Sequence, residues 1–498
     1  LEVNVGSTSV VEIASLITAH LSGDPKIRVS GVSLNSNTVE KNELFAALPG
    51  RTAHGVTFVS QAIKRGASAI LTDSAGVQWL DRSDLDIELP VLLVSDPRAS
   101  LGKICKLVYS DPAAGMILLG VTGTNGKSTT TSMIYQAARA VGIRAGLIGT
   151  LATAMDGEEV SSVRTTPEAP DLFRTIARMK ASGVKLIAME VSSIALSEYR
   201  VNGVEFDCVG FTNLSHDHLD YHDSMVEYFS AKSQLFSPQY ARSALICTDS
   251  SWGVKLCDSI AILFESVGSV GSPDWKLTED HDRGSWLLRG PRYETHMDSL
   301  AMPGTMNALN AALALAMLDR VGIHGGEVVT AICGATVPGR AELVGTRDGV
   351  SVFVDYAHSP ESIREFLTGL RSQFGGRIIT VVGAGGDRDA SKRAEMGQAG
   401  ASGSDVLIVT DDNPRSEDPT LIRQQLRAGA ARVSGCEVLE MGDRRMAIAQ
   451  ALESAHSHDV VAILGKGHER GQEIHGHVIE FSDVDVVAEM LQGGNLND

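Results

Sequence analysis

The chain has 498 residues, 43% of them hydrophobic and 21% charged, a composition of soluble globular proteins rather than of disordered ones. No apolar run approaches the roughly 18–20 residues of a membrane span, and a formal charge of −18 repels nucleic acid and anionic membranes. Single cores stop growing at about 250–300 residues, so three domains are expected.

The first residues lack a basic stretch followed by an apolar one, so no secretory signal is expected. The six cysteines stand singly, without a CxxC pair, which predicts reduced thiols rather than a zinc knuckle or disulfide framework. Short apolar runs at 27–34, 44–48, 68–72 and 91–95 flank a helical pattern at 58–65 and predict a small α/β unit. Its stretch GVSLNSN, Gly31–Asn37, puts hydroxyl and amide side chains at a strand exit. That pattern fits either a sugar- or base-binding loop or a plain polar turn. Asp111-Pro112-Ala113-Ala114-Gly115 reads as a linker and sets the first boundary near 110.

Met116–Thr130, MILLGVTGTNGKSTT, organises the rest. An apolar strand breaks into Gly123-Thr124-Asn125-Gly126-Lys127-Ser128-Thr129 and then a helix. Glycines let successive N–H groups face phosphate oxygens, Lys127 adds charge, and Ser128 can hold Mg²⁺ at the helix N-terminus. Val121 stands where the full GxxxxGK[ST] spacing needs glycine. The loop predicts a nucleoside triphosphate as substrate.

The run 184–189 ends on Glu190, an acid at a strand end suited to Mg²⁺. The strand 208–212 empties into NLSHDHLDYH, with His216, Asp217, His218, Asp220 and His222 close together. Such groups ligate metal or relay protons, or form a solvated loop. Lys232 lies on a helical pattern, 228–236, where a surface lysine is the ordinary reading.

In the last third, strands at 350–354, 377–382, 405–410 and 459–464 each run into a polar loop. These are Asp355–Pro360, Gly383–Asp389, Asp411–Arg415 and Gly465–Glu469. Short apolar strands separated by helices predict a doubly wound parallel sheet, with ligands beyond the strands' carboxyl ends. Gly383–Gly386 lacks the GxGxxG spacing of a dinucleotide site.

Together GTNGKS, MEVSS, NLSHDHLDYH, PGR, DYAHSP, GGDRD, DNPR and GKGHE, in this order from about Gly31 onward, resemble the Mur ligases, within them the members that add the third residue of the peptidoglycan peptide. The resemblance implies an α/β protein of three domains: 1–110 for a uridine nucleotide, 111–340 a central P-loop ATPase, and 341–498 a Rossmann-like amino-acid-binding domain. It implies a cytoplasmic monomer in cell-wall biogenesis, and so in cell shape, division and the cell cycle. ATP and Mg²⁺ would serve it, with UDP-N-acetylmuramoyl-L-Ala-D-Glu and meso-diaminopimelate as substrates. ATP phosphorylates a carboxylate, an amine attacks the acyl phosphate, and phosphate leaves. The same reaction with L-lysine, a folylpolyglutamate-synthetase-like ligase and a non-catalytic scaffold are the alternatives.

Carried over by motif, Lys127, Glu190, His218 and Lys232 would be catalytic, Lys232 as a carbamate. Ser128, Glu190, His218 and Lys232 would serve the metal. Gly123 to Thr129 with Asn307, Arg340, Asp355 and His358 would hold ATP. Ser33, Ser36, Thr165, Thr166, Ser192 and Arg200 would hold the UDP-substrate. Arg388, Asp412, Asn413, Arg415, Gly465 and Glu469 would hold the amino acid, Arg415 gripping the distal carboxylate that lysine lacks and Arg388 the proximal one. Otherwise Arg415 is a loop charge paired with Glu417 or Asp418. Three positions depart from the family pattern: Asn35-Ser36-Asn37 for Asp-Ser-Arg, Ile194 for His, and Glu198 for a neutral amide.

Overall fold

A computed structural model of the chain describes residues 6–50, 52–155, 157–162, 164–219, 221–280 and 284–493; Asp220 of the histidine-rich loop lies outside them. Among the described residues three large sheets follow one another along the chain.

The first has five strands. Gly31–Ser33, Glu43–Ala46, Ala69–Thr72 and Val91–Leu93 run parallel, with His20–Ser22 antiparallel at one edge. The helix Pro97–Val108 starts where Asp96 accepts from the Ala99 N–H and Pro97 occupies the first turn. It buries Leu101, Ile104, Cys105 and Val108 in a core shared with the second sheet.

The second sheet has eleven strands around a parallel centre, in which Ile117–Thr122 lies between Leu186–Glu190 and Cys208–Phe211. Both flanks end in antiparallel strands, including the ribbon Trp275–Asp280, Ser285–Arg289 and Glu294–Met297. The Ala- and Leu-rich helix Thr305–Arg320 is buried along most of its length.

The third sheet, six strands, is parallel except for the hairpin Glu342–Arg347/Val350–Asp355. Helices cover both faces, Ile363, Leu367 and Leu426 packing on one and Ile448 and Val487 on the other. The strands Val350–Asp355, Ile378–Val382, Val406–Val409 and Val460–Leu464 thereby open their carboxyl ends at one edge, as the doubly wound pattern predicts. The helices Arg444–Ser454 and Asp483–Leu491 are joined at their first residues by a fully buried pair: Arg444 Nε and Nη2 donate to the two oxygens of Asp483, each at 2.7 Å.

Candidate active site

The strand Ile117–Thr122 ends in a loop that only glycine permits. Gly123 and Gly126 have φ of 153° and 84°, and a Cβ at either would overlap Thr212 or Asn310. Asn213 locks the loop, accepting from the Asn125 N–H at 2.9 Å and donating to the Asn125 carbonyl at 3.2 Å. The helix Lys127–Ala140 that follows has no side-chain cap. Its first N–H groups, with Ser128 and Thr129 beside them, form the anion-binding end of a helix dipole.

Lys127 Nζ donates to the carbonyls of Gly123 and Thr124 at 2.9 and 2.8 Å. Burial pushes its pKa down, and Glu190, Arg340 and Asp217 all lie close enough to act on its charge. Lys232 is not at the surface, as its helical pattern would have it. It is 1% exposed, donates to the Gly123 carbonyl at 2.7 Å and sits 4.5 Å over the Tyr228 ring. Burial, and then the charge of Lys127, hold its amine well below the ordinary lysine range.

Glu190, at the end of its strand, is buried and accepts from the Thr150 N–H at 2.7 Å. The Thr150 hydroxyl lies 3.0 Å from both Glu190 Oε2 and Thr165 Oγ1. Of the three histidines in the adjoining loop, His222 is structural: it is buried, stacks on Tyr228 and lies 3.0 Å from Ser193 Oγ. His218 has a positive φ of 53° and a partly exposed side chain. Among the described residues no group of three or more His, Cys, Asp or Glu could hold a metal ion by itself. Magnesium takes one or two carboxylates and completes its shell with phosphate oxygens and water. Glu190 and Ser128 beside a phosphate loop fit that donor set.

Asp217 gathers basic groups from two units. Its carboxylate lies 3.7 Å from His218, 4.0 Å from His358 and 3.6 Å from Lys392. Burial alone would raise its pKa, but His218, His358 and Lys392, the imidazoles when protonated, bring it well below the usual carboxylate range. Arg340 stacks at 4.2 Å over Tyr356, its Nε buried without a hydrogen-bond partner among the described residues. Asp355 accepts from the Ala341 and Ala357 N–H groups at 2.6 and 2.7 Å, and Asn307 donates to the Pro303 carbonyl at 2.8 Å.

Facing these groups is a pocket of about 210 Å³, lined by Asp217, His218 and His358 together with Arg388, Arg415 and Glu469. Asp412, Asn413 and Gly465 complete the predicted set there, and Lys392 and Arg393 also line it. Asn413 donates to Glu469 Oε2 at 2.8 Å, while buried Lys466 donates to Asn413 Oδ1 at 3.1 Å and to Glu469 Oε2 at 3.2 Å. Arg415 pairs with neither Glu417 nor Asp418: Glu417 is taken by Arg393, Asp418 caps a helix, and Arg415 Nε meets Glu473 Oε2 at 3.1 Å. Lys466 could have been found inside GKGHE, whereas nothing in the sequence pattern marks Lys392 or Glu473.

A second cleft, of about 740 Å³, opens between the first and second sheets and is lined by Asn35, Ser36, Asn37, Arg98, Arg164 and Glu168, among others. Ser36 donates to Gln61 at 2.9 Å, whereas the Ser33 hydroxyl closes its own turn on the Asn35 backbone. Thr166 donates to the Glu190 carbonyl, and Ser192 caps a short helix at the Ala195 N–H. Glu198 has a ready account: Arg200 donates to it at 2.8 Å and Arg98 approaches at 3.5 Å, so its charge is neutralised by guanidinium groups.

Residues 28–109 match the family described as "Mur ligase family, catalytic domain", 121–318 the Mur ligase middle domain, and 339–467 the Mur ligase glutamate ligase domain. The chain is 41% identical over 488 residues to the UDP-N-acetylmuramoyl-L-alanyl-D-glutamate--2,6-diaminopimelate ligase of Corynebacterium glutamicum, covering 95% of this chain and 94% of that one. It is 39% identical over 485 residues to a UDP-N-acetylmuramyl-tripeptide synthetase of Leifsonia xyli subsp. xyli, covering 95% and 94%. A solved structure of a UDP-N-acetylmuramoyl-L-alanyl-D-glutamate--2,6-diaminopimelate ligase superposes with a TM-score of 0.67 at 27% identity, covering 98% and 99%. A folylpolyglutamate synthase of Mycobacterium tuberculosis complexed with ADP and AMPPCP shares the fold, with a TM-score of 0.60 at 19% identity over 74% of this chain and 92% of that one.

Proposed function

The chain belongs to the Mur ligase family and is an ATP-dependent amide ligase, and from this premise we propose that it joins meso-diaminopimelate to UDP-N-acetylmuramoyl-L-Ala-D-Glu in peptidoglycan biosynthesis. The observation that carries the choice of amino acid is the placing of Arg388 and Arg415 in one pocket with His218 and Asp217. Two guanidinium groups suit an amino acid with two carboxylates, and lysine would leave one without its anion.

In this reading residues 1–110 hold the uridine nucleotide, 111–340 the ATP, and 341–498 the amino acid. The muramoyl-dipeptide lies along the 740 Å³ cleft toward Thr165, Thr166 and Arg200, so that its terminal carboxylate ends near Glu190. A carboxylate is a poor electrophile until one of its oxygens becomes a leaving group, which phosphorylation supplies. Lys127 neutralises charge on the transferring phosphoryl group. Magnesium, held by Ser128, Glu190 and His218 with a carbamate on Lys232, would draw charge from the phosphoryl and carboxylate oxygens. Carbamylation needs a neutral amine, and burial, helped by the charge of Lys127, favours that form at Lys232. The amine and CO₂ then form an N–C bond, and the displaced proton goes to solvent. Asn307, Arg340, Asp355 and His358 flank the ATP site in this arrangement.

Phosphate release from ATP tests the reading. UDP-N-acetylmuramoyl-L-Ala-D-Glu is supplied with meso-diaminopimelate, with L-lysine, or replaced by a folate with glutamate. Release with the first pair alone is expected. Preference for lysine or for the folate pair overturns the proposal, and no release with any pair points to a scaffold.

A further inference from the structure

Arg415 does not hold its own position. Its φ is 51°, in the left-handed region that residues with a side chain rarely adopt. What maintains it is the strand Gly471–Ile474 of a hairpin whose other strand is His477–Glu480. The Arg415 N–H donates to the Glu473 carbonyl at 3.0 Å, and the His475 N–H donates to the Arg415 carbonyl at 2.7 Å. The same strand grips the two residues at the head of the loop. Gln472 Nε2 donates to the Asp412 carbonyl at 2.8 Å, and the Glu473 N–H donates to Asn413 Oδ1 at 2.9 Å.

The side chains repeat the pattern. Arg415 Nε donates to Glu473 Oε2 at 3.1 Å and Nη1 to the Gly386 carbonyl at 2.7 Å, which leaves Nη2 without a hydrogen bond among the described residues. A guanidinium fixed along two of its three nitrogens presents the third in one direction, and less side-chain entropy is lost when it meets an anion.

We propose that Glu473 is a positioning residue for amino-acid selection: it orients Arg415 so that Nη2 receives the distal carboxylate of the incoming diamino acid. The inference rests on the reading of Arg415 as the group that recognises that carboxylate. Glu473 touches no reacting atom in this account; it acts through Arg415.

The test compares wild type with Glu473→Ala, Glu473→Gln and Arg415→Ala, measuring kcat and KM for meso-diaminopimelate and L-lysine, and KM for ATP and UDP-N-acetylmuramoyl-L-Ala-D-Glu. Glu473→Ala is expected to raise KM for meso-diaminopimelate about tenfold, as loss of a charge-assisted hydrogen bond would. Its kcat, its KM values for the other two substrates and its melting temperature should stay near wild type, and its preference over lysine should fall. Glu473→Gln, which keeps an acceptor for Nε, should recover most of the loss. An unchanged KM and preference in Glu473→Ala overturns the proposal, as does a lower KM, which would make Glu473 a competitor for Arg415. Losses spread over all three substrates also overturn it, because they mark a structural role. If instead Arg415→Ala keeps the wild-type preference, the reading of Arg415 fails, and that result is separate from anything Glu473 does.

Discussion

Lys127 and Lys232 donate to one acceptor, the carbonyl oxygen of Gly123, at 2.9 and 2.7 Å. Two lysines on one oxygen are a costly arrangement in a protein interior. Burial pushes both amines down, and the charge of Lys127 further disfavours a charge on Lys232. Such cost is commonly kept where chemistry needs it.

Lys232→Met is therefore expected to melt at or above the wild-type temperature near neutral pH while losing turnover. The sign follows from proton counts. In protein kept free of CO₂, where Lys232 is the free amine, the unfolded chain holds a proton at this lysine between the depressed folded value and about 10.4 that the folded protein has released. Wild-type stability accordingly rises with pH across that window, and the variant should lose this dependence. Thermal melts at several pH values check the stability, and a ¹³C-carbamate resonance after growth in labelled bicarbonate checks the modification in wild type. A variant that melts well below wild type, or wild-type protein without the resonance, contradicts the account.

Lys127→Ala should fold and should lose more than tenfold in kcat/KM, since it removes the cation nearest the phosphate loop. Retention of a tenth of wild-type activity would limit its contribution to about 1.4 kcal/mol, too little for a group that neutralises a transferring phosphoryl.

His468 carries an acid-sensitive part of the stability. Burial first, and then the charge of Arg340, push its pKa from 6.5 to about 4, and its Nδ1 has no partner among the described residues. The unfolded chain then binds a proton between pH 6.5 and 4 that the folded protein refuses. Stability should fall as pH drops through that window, by up to ~3 kcal/mol in total. Urea unfolding at pH 7, 5.5 and 4.5 should show a shallower fall in His468→Gln; parallel curves would remove His468 from the explanation.

The Arg444–Asp483 pair should be expensive to break and cheap to replace. Asp483→Ala leaves a fully buried guanidinium without its anion and is expected to cost ~3–5 kcal/mol. Arg444→Met combined with Asp483→Leu should recover most of that in chemical denaturation. Equal losses in the single and double variants would mean that the side chains' shapes, and not their charges, matter there.

Much of this was legible in the residues. The phosphate loop could be read despite Val121 because its glycines answer to local geometry, and positive φ at Gly123 and Gly126 leaves little choice of residue. The four polar loops of the third sheet could be read because apolar strands stop abruptly before them. Lys232 could not, since a helical repeat reports only neighbours on its own helix, and this lysine is buried against the loop about a hundred residues earlier whose Gly123 carbonyl it meets. The ribbon at 275–297 carries only a short signal: in its first strand Trp275, Lys276, Leu277 and Thr278 alternate, and Glu279 and Asp280 then break the pattern. His222 looked like its neighbours at 216 and 218, and only packing against Tyr228 separates it from them.

The strand Gly471–Ile474 bears on how portable the tetrapeptide Asp412-Asn413-Pro414-Arg415 is. Its conformation is written some 60 residues downstream, in a segment that reaches three of the four positions. Transplanting the four residues into a lysine-adding relative would move the guanidinium without its scaffold. Selectivity should travel only when the hairpin is grafted with them, so that the unit of inheritance for this choice of substrate is a pair of distant segments.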